Sequence, residues 1–378
     1  MGIKDFYKII KRKCPEELLT LDLYDLSGIS VAVDISVFLY KLIKTAGDRW
    51  RTSFVILLCT LKRYKIKCVC IFDGPDFPPE KIQERERRRR QAQKDITRME
   101  NCKRMRDVIR DRYIGPDKDA WNADIKEECK NLIGTRRKGW FVDMDKPGFV
   151  CDALTEVIER LTKQTAPITP EHTEEAKEIV KSLGLACYHS PGEAETLCSY
   201  LAIKGYVTAV LTEDTDVMAY GTPIMLAFKD FKPGEGKIYG MVLKTILEKL
   251  ELNLEEFRDL CILLSCDYNE RAKLPPIKAG SKPRGVGLVK SLELIEEYRR
   301  IENMEDILLD TTPLNYKRCR ELFTIPAYED VFDLRPFNTE PDYAALEELV
   351  ERYTLGPRIL DYVRQSYSPS NLIFEESE

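Results

Sequence analysis

Residues 30–34 read SVAVD and residues 68–73 read CVCIFD: two short runs rich in valine and isoleucine, each ending on an acid. Runs of this length suit buried strands rather than helices. Between them, Phe54–Tyr64 has helical length and few breakers. The rhythm returns downstream. Glu174–Leu183 predicts a helix stopped by Gly184, and Leu185–Tyr188 a strand. Glu193–Lys204 predicts a helix opened by Pro191-Gly192 and ended by Gly205, and Thr208–Thr212 a further strand followed by acids. Short buried strands separated by helices predict an α/β fold with a central, mostly parallel sheet flanked by helices. In such sheets, ligands gather beyond the carboxyl ends of the strands.

Pro75 to about Pro170 interrupts this alternation. It opens on Pro78-Pro79, runs through a basic segment and contains Gly115-Pro116, Gly134, Gly139 and Pro147-Gly148. It is expected to be an insertion of one or two long polar helices followed by an irregular stretch. From Leu243 the pattern turns helical, clearest over Leu254–Cys266 and Leu288–Tyr298, with a loop from Pro275-Pro276 to Pro283. Tyr343–Tyr353 and Pro357–Tyr367 predict two closing helices before a loose acidic tail, Ser368–Glu378. Four regions result: 1–77, an insertion over 78–170, 171–310 with a helical element at about 254–300, and 311–378.

With 378 residues, 43% apolar and 33% charged, the chain has the means to bury a core in two or three units. No run approaches the ~18 apolar residues of a membrane span, and MGIKDFYKIIKRKC has no uninterrupted apolar leader core. Twelve cysteines include no Cys-x-x-Cys pair, and there are only two histidines, His172 and His189. Zinc-finger sites, disulfide scaffolds and histidine-based nucleophilic catalysis are therefore disfavoured, and a reducing intracellular compartment is expected. Net charge is −5, but Lys81–Arg112 holds thirteen Lys/Arg against six Asp/Glu, so the remainder sums to −12. One part is suited to phosphate and the other to cations.

The acids carry the chemistry. Asp34, Asp73 and the pair Asp214/Asp216 each follow a strand, and parallel strands bring such residues to one edge. Glu193 and Glu195 are expected in the first turn of a helix, where the dipole tolerates negative charge. Asp267 is expected to end the apolar helix CILLSCD. Taken singly, Asp34 or Asp214 could be a helix cap, Glu193 and Glu195 ordinary first-turn acids, and Asp267 a solvated corner. Together, seven converging carboxylates would repel strongly unless hard divalent cations resolved the repulsion. Two such ions ~3.5–4 Å apart form the clamp used in phosphodiester cleavage.

In Lys81–Arg112, which contains ERERRRRQAQKD, Lys81 and Arg88 lie seven residues, about two helical turns, apart and share a face able to reach one phosphate. A solvated helix or an import patch fits the charge equally. Pro283-Arg284-Gly285-Val286-Gly287 before Leu288–Tyr298 is a glycine-bearing turn into a helix, with Lys290 in its first turn. It suits a phosphate, or simply a packing corner. Tyr40 is either a base-stacking ring or, more commonly for its pattern, a buried helix tyrosine.

These segments resemble the flap endonucleases of the structure-specific 5′ nuclease superfamily, the xeroderma-G/flap/exonuclease-1 group. MGIKDFYKII, VAVDISVFLY, IFDGPDFPPEK, PGEAETLC, LTEDTDVMAYG, CILLSCDY and RGVGLVKSLELI occur in the family's order. The resemblance implies a PIN-like nuclease core with a helical arch and a helix-two-turn-helix element. It implies a Mg²⁺-dependent nuclease, with Mn²⁺ able to substitute, that cleaves DNA at 5′ flaps, nicks, gaps or junctions. By motif position, Asp34, Asp73, Glu193 and Glu195 would serve chiefly one ion and Asp214, Asp216 and Asp267 the other. Lys81 and Arg88 would polarise the phosphate. Gly2 and Tyr40 would lie near the DNA at the site, and Gly285 and Gly287 in a duplex-gripping hairpin with K⁺.

The chain also departs from the family. The stretch between Asp73 and Glu193 is longer, implying an enlarged arch. Lys44–Arg51 is shortened where the family builds its wedge and 3′-flap pocket. The Tyr268–Lys282 loop carries an insertion, with Lys282-Pro283 in place of a small residue. Ser368–Glu378 lacks a sliding-clamp motif. A 5′ flap endonuclease with 5′→3′ exonuclease activity is expected, acting as a monomer in the nucleus or at a viral replication site. An exonuclease-1-like or junction-resolving enzyme is the near alternative, and a catalytically silent scaffold the distant one.

Overall fold

The structure, a computed structural model, describes residues 2–115, 119–134, 142–276, 282–326, 328, 339–356 and 358–368. Seven strands form one sheet: β1 (Leu19–Asp22), β2 (Ser30–Asp34), β3 (Lys67–Phe72), β4 (Ala186–His189), β5 (Ala209–Leu211), β6 (Ile224–Ala227) and β7 (Lys237–Val242). Their order is β1-β7-β6-β5-β2-β3-β4. The five strands from β6 to β4 run parallel. β7 is antiparallel to β6, and β1 to β7, an edge the apolar runs did not announce.

Consecutive residues Cys68–Phe72 of β3 are all buried. Both faces of the strand are therefore covered, which is why its sequence is continuously apolar rather than alternating. β2 lies between β5 and β3, pairing Val33 with Leu211 and Asp34 with Ile71. That register sends Asp34, Thr212 and Asp73 out of the sheet at the same edge.

Helices cover Phe6–Lys13 and Ile35–Ala46, neither predicted. The predicted Phe54–Tyr64 begins earlier, as Trp50–Arg63, with Trp50 buried. Lys81–Tyr113 is one helix of 33 residues, about 50 Å long. The stretch expected to be irregular holds helices Ala123–Ile133 and Pro147–Thr165. In the second, Val150, Leu154, Val157, Ile158 and Leu161 recur at helical spacing and are buried. The chain divides into two compact units: Met1–Tyr40, Arg51–Glu84 and Pro170–Glu378 make one, and Lys41–Trp50 with Arg85–Thr169 the other. The second unit has its own core, in which Cys102, Met105 and Ile109 meet Cys129, Leu154 and Val157.

In the first unit, Leu254–Leu264 packs against Leu288–Tyr298. Between them a two-stranded ribbon pairs β8 (Lys273–Leu274) with β9 (Arg284–Gly285). Helices Tyr343–Arg352 and Ile359–Tyr367 close the described chain. The expected acidic tail beyond Ser368 and part of the loop before Pro283 lie outside the described residues.

Candidate active site at the carboxyl edge of the sheet

Asp34 is buried at the end of β2. Its Oδ1 accepts the Val37 N–H at 3.3 Å and its Oδ2 accepts the Thr212 hydroxyl at 2.8 Å. Asp34 therefore does cap the helix that follows, and it does so while lying among the other acids. Asp73, past β3, accepts the Ala194 N–H at 2.8 Å through Oδ1, and its own N–H donates to Ser36 Oγ at 3.2 Å. The loops after β3 and β4 meet closely: the Gly74 N–H donates to the Gly192 carbonyl at 2.7 Å. A Cβ on Gly74 would strike the backbone of Ser190 and Pro191, so the approach requires glycine.

Glu193 is the N-cap residue of helix Ala194–Ile203 rather than part of its first turn, where Glu195 lies; both are buried. Asp214 accepts the Asp216 N–H at 3.1 Å, and its own N–H donates to Thr212 Oγ1 at 3.0 Å. Asp267 was expected at a helix end, but the helix stops at Leu264 with Ser265 at φ 77°. Asn269 forces that stop. Its amide donates to the Ile262 carbonyl at 2.8 Å and its carbonyl accepts the Cys266 N–H at 2.8 Å, the local competition that ends helices. Asp267 sits in the turn beyond, released from the unfavourable dipole end.

The N-terminal strap closes one side. Lys4 donates through its N–H to the Ser265 carbonyl at 3.0 Å and through Nζ to Ser265 Oγ at 2.9 Å. Gly2 has φ +78°, and a Cβ there would run into Asp214 Oδ1 and come within 2.7 Å of Asp216 Oδ1. Lys81, opening its helix, pairs with Glu193 Oε1 and lies 3.7 Å from Glu195 Oε1 and 3.8 Å from Asp267 Oδ2.

The electrostatics join these groups. Burial, then the charge of Asp73 and Asp214, pushes the Asp34 carboxyl up to about 8 despite the Thr212 and Val37 hydrogen bonds. Burial, then Asp214 and Asp267, raises Asp216 well above the carboxylate range. Burial raises Glu195; Lys81 pulls it back, while Asp214, Glu193 and Asp216 push it further up. Burial works against the charge of Lys81, but Glu195, Glu193, Asp214 and Asp267 outweigh it and hold the ammonium protonated.

Among the described residues no three acids already hold their oxygens in a ligating cluster. Yet both Asp216 oxygens are buried with no hydrogen-bond partner, an arrangement costly for a carboxylate unless it is compensated. A crowded, all-oxygen, anionic donor set fits a hard divalent cation such as Mg²⁺ or Mn²⁺.

The pH dependence of stability follows from Asp34. Between its ordinary 3.8 and about 8, the native carboxyl holds a proton that the unfolded chain has lost. Stability of the metal-free chain should therefore fall as pH rises through this window, by about 1.4 kcal/mol per pH unit for one such group. Melting curves with chelator from pH 5 to 8 should show that decline, and saturating Mg²⁺ should flatten it by favouring the ionised acids. Parallel curves with and without Mg²⁺ would contradict the cation fit.

The remaining predicted residues fall elsewhere. Tyr40 is 42% exposed rather than buried. Arg88 lies on the same helix as Lys81, in the part that belongs to the second unit. Arg284 and Gly285 are exposed in β9, and Gly287 is the N-cap residue of Leu288–Tyr298. Among the described residues a Cβ on either glycine would meet nothing within 4 Å. Lys290 pairs with Glu293 at 3.2 Å. Sequence reasoning assigned no role to Thr212 and Tyr268, though both lie inside the quoted motifs. Tyr268 follows Asp267 directly, and Thr212 follows β5 two residues before Asp214.

Residues 1–95 match the family model described as XPG N-terminal domain, and residues 184–267 the XPG I-region. Between them the two spans contain all seven acids, Lys81 and Arg88; the first runs into the stretch read as an insertion, as far as residue 95, and the second begins after it. A probable RAD2-like endonuclease of Invertebrate iridescent virus 3 is 27% identical over 345 residues, 86% of each chain. Flap endonuclease 1 of Drosophila willistoni is 36% identical over 208 residues, 53% of this chain and 50% of that one. In fold, the catalytic core of Rad2 in complex with DNA substrate superposes with TM-score 0.61 at 19% identity, covering 96% of this chain and 100% of that one.

Proposed function

Because the chain is a member of the XPG/flap endonuclease group of structure-specific 5′ nucleases, we propose that it hydrolyses DNA phosphodiesters at the base of 5′ flaps, using two Mg²⁺ ions. The observation that supports this most is the meeting of acids from β2, β3 and three later loops at one sheet edge, with the Lys81 ammonium among them. Asp34, Asp73, Glu193 and Glu195 would hold one ion, and Asp214, Asp216 and Asp267 the other. Bound there, the cations would supply Lewis-acid stabilisation of the attacking and leaving oxygens.

The chain's own residues do the rest. Lys81 stays protonated among the carboxylates and offers fixed positive charge where negative charge develops. Arg88, two turns along the same helix, adds a second cation. Gly2 lets the N-terminal strap lie against Asp214 and Asp216 without a side chain in the way. The exposed ring of Tyr40 presents a face for an unpaired base. The open backbone at Gly285 and Gly287 admits a duplex phosphate close to the N-terminus of Leu288–Tyr298, with K⁺ as a further ligand of the hairpin. A eukaryotic flap endonuclease and a viral RAD2-like endonuclease are both relatives, which supports a reading in which the work is done in a nucleus or at a viral replication site.

A substrate panel tests this reading. With Mg²⁺, a 5′ flap should be cut faster than a blunt duplex or a four-way junction, with the incision near the flap base. Fastest cleavage of the blunt end, or of the junction in symmetrical pairs, would move the enzyme to the exonuclease-1-like or junction-resolving branch.

A further inference from the structure

Tyr268 reaches the candidate site from beneath. It is 4% exposed, and its hydroxyl donates to Glu193 Oε2 at 2.6 Å and lies 3.4 Å from Glu195 Oε1. Behind it stands Tyr220, with hydroxyls 3.1 Å apart. Behind Tyr220 stands Thr196, whose hydroxyl donates to Tyr220 at 3.1 Å. Since a carboxylate only accepts, the direction of this relay is fixed: Thr196 donates to Tyr220, Tyr220 to Tyr268, and Tyr268 to Glu193.

The rings are held as firmly as the hydroxyls. Tyr220 and Tyr268 both meet Phe323 edge-on, with centroids 5.5 and 5.6 Å away, and Phe323 is fully buried after helix Tyr316–Leu322. On its other side the Tyr268 ring lies 5.5 Å from Lys81 Nζ. One side chain thus touches two of the acids and the ammonium that pairs with them.

We infer that Tyr268, backed by Tyr220, is a positioning residue that fixes the Glu193 and Glu195 carboxylates for divalent-cation binding. The inference rests on the metal-site reading above. A hydrogen bond to Glu193 Oε2 sets the rotation of that carboxylate and leaves Oε1 directed to the Lys81 side. Partners of this kind, one bond removed from a metal, typically change affinity or activity by ~10–100-fold when removed.

The test uses the full chain and Mn²⁺ as the probe. Tyr268→Phe removes one hydroxyl and keeps the ring against Phe323 and Lys81. Titration calorimetry of the metal-free protein should show Mn²⁺ binding weakened by about 10-fold or more. Flap cleavage should lose kcat at a fixed Mg²⁺ concentration, recover partly as Mg²⁺ is raised, and keep its KM for DNA. Tyr220→Phe, which breaks the relay one link back, should fall between Tyr268→Phe and the wild type, and it decides the matter if Tyr268→Phe does not fold. Asp214→Ala is the control for the site itself. Loss of Mn²⁺ binding there, with Tyr268→Phe and Tyr220→Phe both binding like the wild type, would overturn the positioning role alone. Wild-type binding and cleavage by Asp214→Ala would overturn the metal site and this inference with it.

Discussion

Asp214→Ala is expected to lower flap cleavage by on the order of 10²–10³-fold in kcat, the scale of removing one preorganised electrostatic group from an active site. Its placement makes it the best single probe. Asp214 accepts the Asp216 N–H, faces the N-terminal strap at Gly2, and adds charge against Asp34, Glu195 and Asp216. Removing it relieves repulsion, so the metal-free protein should melt at the same temperature or higher while activity collapses. That opposition of signs separates a functional acid from a structural one. A structural acid would lose stability and activity together. Steady-state cleavage with Mg²⁺ and melting with chelator check the two halves independently.

Lys81→Ala should act in the other direction on stability. Lys81, its side chain 15% exposed, pairs with the buried Glu193 and Glu195 and with Asp267, and breaking a buried ion pair by removing one partner costs up to about 3–5 kcal/mol. The metal-free variant should melt markedly earlier, and saturating Mg²⁺ should restore much of that loss by compensating the same carboxylates. Turnover should not be restored, because the ammonium acts on the phosphate rather than on the fold. Arg88→Ala should lower kcat far more than it raises KM. A rise in KM alone would make the helix a docking surface. Recovery of kcat in Lys81→Ala with Mg²⁺ would reduce Lys81 to a counter-ion.

The strands of the sheet were legible because burial on both faces writes a plain apolar run, as in Ser30–Asp34 and Cys68–Phe72. β1, β6 and β7 were not: β6 is a run of only four residues, β1 is a largely exposed edge, and β7, inside the sheet between β1 and β6, mixes exposed and buried positions, so their pairing is set by register rather than by an apolar run. Helix Pro147–Thr165 has a readable apolar spacing, but Pro147-Gly148, its first two residues, have the composition of a break. Among the acids, type and order were visible and local geometry was not. Glu193 moved from first turn to cap, and Asp267 from helix end to turn, because Asn269 ends the helix through a side chain that periodicity does not register. Tyr268 was hidden for a similar reason. A tyrosine beside an acid reads as core, and only the fold brings its hydroxyl to Glu193, 75 residues away in sequence.

On this reading, separate segments fold so that their acids hold two cations together. Anomalous diffraction from a crystal soaked in Mn²⁺ tests it most directly. Two peaks are expected, one among Asp34, Asp73, Glu193 and Glu195 and the other among Asp214, Asp216 and Asp267. An ordered site with no anomalous peak among these seven side chains would contradict it.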